Sequence, residues 1–127
     1  HAFPDLSFVE GCFDGIKKMS KDCRLVAAPI VDHLAVFSDE GATIFAGSWQ
    51  DAPAKFGSLG VTISDENGST KSDKDKRAER LREFEGEQLP FWWHSKLEPD
   101  RDRIHFCPDR LATGGRLIVG IFCRHLK

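Results

Sequence analysis

PDRDRIHFCPD, residues 99–109, and GGRLIVGIFCRH, residues 114–125, decide the fold. The first is dense in charge, yet Arg103, Ile104, His105 and Phe106 alternate polar with apolar, which is the period of a strand with two different faces. The second carries the apolar run Leu117–Phe122 broken by Gly120, and the Pro108–Asp109 and Gly114–Gly115 steps between them supply a turn. The pair is predicted to form the last two antiparallel strands. Period two sets Arg101, Arg103, His105 and Cys107 on one face of the first strand, and Arg116, Ile118, Gly120, Phe122 and Arg124 on one face of the second. Arg103 and Arg124 are then expected to meet across the sheet in a cationic groove.

Working back toward the N-terminus, LPFWWHS (89–95) is a third strand candidate, and ATIFAGSW (42–49) and KFGSLGVTIS (55–64) are short, β-prone and interrupted by glycine. Between KFGSLGVTIS and LPFWWHS, residues 65–84 change character to a run of mixed charge, read as a surface loop with a short exposed helix around Arg77–Arg82. Earlier still, Pro29 suits a first helical turn, Ile30, Leu34 and Phe37 recur at helical spacing, and Gly41 offers a stop. His33 falls on this helix at the core boundary. The opening HAFPDLSFVEGCFDGI suggests a terminal strand or hairpin fixed by Cys12. The expectation is one α+β domain over residues 1–127, a single helix packed on a twisted antiparallel sheet.

Composition excludes some functions. A net charge of −2 exerts no global pull toward nucleic acid, and no stretch approaches the roughly 18 apolar residues that span a bilayer. Cys12, Cys23, Cys107 and Cys123 lack the C-x-x-C spacing of zinc sites, so neither metal nor cofactor is expected. Four cysteines in so small a domain favour two disulfides in a secreted protein, with three pairings open. His1 could join a copper site through its amine and ring, but no supporting motif accompanies it.

EQLPFWW, DRDRIHF and VGIFCRH, in that order, resemble the last strands of the small guanyl-preferring fungal ribonucleases. The resemblance implies a microbial ribonuclease-like fold. It aligns Arg103 with a phosphate-binding arginine, Gln88 with the catalytic glutamate and Arg124 with the catalytic histidine. Gln88 cannot take the 2′-hydroxyl proton, and Glu87 and His125 would face the wrong side of their strands. The chain also resembles the RNase-like effectors secreted by powdery mildew fungi and associated with haustoria, through Phe8 near Cys12 and Cys123 at the far end. That likeness implies a secreted protein without ribonuclease catalysis, delivered into the plant cell as a monomer. Host proteins or immune receptors would be its partners. It pairs Cys12 with Cys123, leaving Cys23 with Cys107. Arg103, Arg124, His105 and Trp92 are then the candidate contacts for RNA or phosphate, since binding needs cations and aromatic platforms rather than an acid and a base. The alternative is an active guanyl-preferring ribonuclease with Glu85 or Glu87 as base, His94, His105 or His125 as acid, and Arg103 on phosphate.

Overall fold

The computed structural model describes residues 5–18, 23–97 and 102–124. Strand β6, Asp102–Cys107, is not a decorated surface strand but the middle of the sheet. Its neighbours are β7 (Leu117–Arg124) and β5 (Trp93–Leu97), both antiparallel to it. Outside these lie β1 (Leu6–Phe8) and β2 (Ile63–Ser64), giving the order β1-β7-β6-β5-β2. β1 runs parallel to β7, so the sheet is mixed where sequence reading expected an antiparallel one.

One face of this sheet is closed by helix α1, Cys23–Ala46. The helix is longer than its sequence punctuation suggested, because burial outweighs local preference. Pro29 lies inside it at the cost of one backbone hydrogen bond, and Gly41 lies on its buried stripe instead of ending it. That stripe is Ile30, Leu34, Phe37, Gly41, Ile44 and Phe45, and Phe37 and Phe45 bring their rings to 4.8 and 5.9 Å from Phe106. ATIFAGSW is accordingly the end of α1 and the turn after it, not a strand. Within KFGSLGVTIS only Ile63–Ser64 pairs, and Lys55–Gly57 belong to helix α2, Ala52–Gly57. His33 sits where expected, buried, its Nδ1 3.0 Å from Ser95 Oγ on β5.

The charged segment is more ordered than a loop. Asn67 caps α3 (Gly68–Ser72) through Thr70 N–H, and Asp73 caps α4 (Lys74–Glu79) through the N–H groups of Asp75 and Lys76. Leu81 and Arg82, read from sequence as helical, begin the hairpin β3 (Leu81–Phe84) and β4 (Glu87–Pro90). Its tip is Glu85–Gly86, both at positive φ. The domain is therefore α+β, with several helices rather than one.

Two sequence expectations fail on β7. His105 pairs with Ile121 but Phe106 with Val119, leaving Gly120 as the extra residue of a bulge. The bulge breaks the uniform period, so Arg103 lies opposite Cys123, and Arg124 lies opposite Asp102 instead of meeting Arg103. Cys12, Cys107 and Cys123 are free thiols, so neither expected bridge, Cys12–Cys123 or Cys23–Cys107, is formed. The reason at Cys123 is directional. The 3-10 turn Cys12–Lys18 packs on the Phe122 side of β7, with Phe13 stacked 5.2 Å from Phe122, while Cys123 shares the opposite face with Arg103. Of Cys23 only its place at the start of α1 is described; Arg101, His1 and His125 lie outside the described residues.

Candidate functional site

The sheet face away from α1 carries Ser64, His94, Lys96, Arg103, His105 and Cys123, placed side by side by the registers Ser64↔His94, His94↔His105, Lys96↔Arg103 and Arg103↔Cys123. Period two on the neighbouring strands β5 and β6 thus gathers two imidazoles and two cations in one patch. The His94 and His105 rings lie 5.1 Å apart.

The segment after β2 folds over this patch and adds the carboxylate. Glu66, two residues beyond Ser64, presents Oε1 to His94 Nδ1 at 3.9 Å and accepts the Nε–H of Arg80 on Oε2. Arg80 also donates to the Lys76 carbonyl, and its side chain is 3% exposed against 12% for Glu66. Phe91, fully buried after β4, closes the patch further: its carbonyl accepts from His105 Nδ1 at 2.9 Å and its N–H donates to the Arg80 carbonyl. A carbonyl only accepts, so the His105 proton sits on Nδ1 and Nε2 keeps its lone pair. On His94, Nε2 meets Ser64 Oγ at 3.0 Å, with Nδ1 3.4 Å from the Trp92 carbonyl.

Nothing among known families, curated proteins or solved structures matches this chain. The site has therefore to be read from its own chemistry. Of the sequence candidates, Arg103, His105 and His94 come together on one face. Trp92 adjoins them in sequence, half-buried, with Lys71 Nζ 5.7 Å above its ring. Arg124 does not join them by register. Glu85 and Glu87, the candidate bases, are taken by Arg110 at the exposed hairpin, at 2.6 and 2.8 Å. Glu66 and Arg80 were missed: SDENG reads as a turn, and Arg80 as one charge among many on an exposed helix. The faint signal was the β-prone run ending at Ser64, which fixes where the next carboxylates emerge.

Burial dominates the electrostatics. It pushes His105 down to about 3, with the charges of His94, Arg80 and Arg82 adding to the effect against the Phe91 hydrogen bond. His94 is lowered for the same first cause, opposed by Glu66, and His33 is lowered by burial too. Burial pushes the Cys107 and Cys123 thiols up to about 12 and Cys12 to about 11, so these sulfurs are poor nucleophiles.

The three depressed imidazoles predict an acid-sensitive fold. An unfolded imidazole titrates near about 6.5, so below that pH the unfolded chain binds protons that the folded chain refuses. Stability is full above about 6.5 and falls with acid by up to about 1.4 kcal/mol per pH unit per imidazole. For His105 the loss continues until about 3. Urea denaturation in chelator-treated buffer from pH 7.5 to 4.5 checks this: a flat profile above pH 5 would show that the rings are solvated.

Proposed function

We propose that this protein is a secreted fungal effector on a ribonuclease-like scaffold that no longer cleaves RNA, acting in the plant cell by binding a host protein or RNA. The supporting observation is the closure of the polar patch. Ribonuclease chemistry asks a base to take the 2′-hydroxyl proton, an acid to protonate the leaving oxygen, and a cation to steady the phosphate. The carboxylate that accompanies the histidines, Glu66, is held by Arg80, and His105 is 2% exposed with its one proton on the Phe91 carbonyl. Substrate would have to displace Phe91 and Arg80 to reach either group. What borders the surface is half-buried Arg103 and Trp92, together with the exposed helices α3 and α4. Among the described residues no helix is long and apolar enough to cross a membrane.

One observation favours the active enzyme as a second reading: two imidazoles and Arg103 share one sheet face, and the Glu66 carboxylate lies over it beside His94. Incubation with total plant RNA and a guanosine-containing dinucleotide, alongside Arg103→Ala, separates the two. The expected result is no cleavage by either protein, with any RNA binding weakened in the variant. Cleavage that disappears in Arg103→Ala would replace the effector scaffold with the enzyme.

A further inference from the structure

The patch holds a second capability that acid–base chemistry does not use. Glu66, His94 and His105 each offer a ligand atom, and these atoms lie within 4.8 Å of one another. We propose that these three residues form a site for a transition-metal ion of the zinc class, clamping the segment after β2 to strands β5 and β6. The inference does not depend on the ribonuclease likeness.

Three features carry it. The donor set, two imidazoles and one carboxylate, suits zinc, which takes three such ligands and leaves a fourth position for water. Each ligand already has the outer partner that metal-binding groups use. His105 donates Nδ1–H to the Phe91 carbonyl, which leaves Nε2 as its ligating atom. Glu66 anchors Oε2 on Arg80 and turns Oε1 toward His94; for His94 Nδ1 to ligate, its proton leaves the Trp92 carbonyl and the ring takes up one at Nε2, whose hydrogen bond Ser64 Oγ stands ready to accept. The third feature is reach. Ligands about 2.0–2.1 Å from a tetrahedral zinc lie roughly 3.3 Å apart. The 3.9 Å between His94 Nδ1 and Glu66 Oε1 is too long for a hydrogen bond and needs only a small closure to ligate. Lys96 and Arg103 flank the two histidines on the same face and Arg80 pairs with Glu66, so the ligands must hold the ion against neighbouring positive charge. Two imidazole nitrogens in the donor set favour ions of the zinc class over hard, oxygen-seeking cations such as magnesium and calcium.

Tag-free, chelator-stripped protein titrated with zinc sulfate in a calorimeter, and with cobalt(II) by absorption spectroscopy, tests the site. The expected result is one equivalent bound, intense visible bands of four-coordinate cobalt, and a higher melting temperature. His94→Ala should abolish all three, and Ser64→Ala should weaken binding by about 10–100-fold, the usual effect of losing an outer partner. His105→Ala risks misfolding, so His94→Ala and Ser64→Ala are read only with native circular dichroism. The proposal fails if no zinc binds at millimolar concentration. It fails equally if binding persists unchanged in folded His94→Ala, which would move the ion to another place such as His1.

Discussion

Arg80→Ala is expected to cost the fold about 3–5 kcal/mol, the range for breaking a buried ion pair from one side. The guanidinium of Arg80 and the carboxylate of Glu66 are both almost closed off from water, and each is the other's partner. Removing the guanidinium strands the carboxylate beside two imidazoles that burial keeps neutral. For a chain of this size the loss corresponds to a drop of on the order of 10–20 °C in melting temperature. Arg80→Lys should recover only part of it, because an ammonium cannot both pair with Glu66 and reach the Lys76 carbonyl in one planar fork. Arg80→Met with Glu66→Gln should recover more, since the desolvation of both charges vanishes together. Urea unfolding of the four proteins measures the series. A loss under about 1 kcal/mol for Arg80→Ala would place the pair among solvated surface bridges.

How far the sequence revealed this arrangement follows from the range of the interactions. Strand β6 was legible because its alternation is local, and Arg103 and His105 fall on the shared face that period two assigns them. Helix α1 was legible in its Ile30, Leu34, Phe37 stripe but not in its length, since Pro29 as a local start signal and Gly41 as a local stop signal are both overridden by packing on Phe106 and Leu117. Glu66 and Arg80 were invisible for a different reason. They enter the site only through the pairing of the two-residue strand β2 with β5 and the return of the chain at Phe91, and neither leaves a periodic trace. Arg124 was misplaced by a single extra residue, Gly120, because one bulge reverses every face assignment beyond it.

That glycine should prove the least replaceable residue of β7. A Cβ at Gly120 would lie 2.5–2.7 Å from three atoms of the Phe91 ring, and Phe91 is fully buried with no free direction in which to withdraw. Gly120→Ala therefore forces the ring and its backbone to move. Overpacking of this kind costs about 1–3 kcal/mol. The displaced backbone also carries the carbonyl that fixes His105 and the N–H that holds the Arg80 carbonyl, so about 1 kcal/mol more is at stake for each bond weakened. Gly41→Ala is the contrasting control: its Cβ would meet only the Leu117 methyls at 3.8 and 3.9 Å, within a helix where alanine is preferred, and stability should hold or rise. Phe91→Leu placed in the Gly120→Ala background should return part of the loss by vacating the contested volume, although the same change alone destabilises. Such a sign reversal in a double-mutant cycle is what a steric clash predicts and a simple loss of backbone freedom does not. If Gly120→Ala and Gly41→Ala instead behave alike, the Phe91 ring is not seated against β7, and the closure of the polar patch that it provides goes with it.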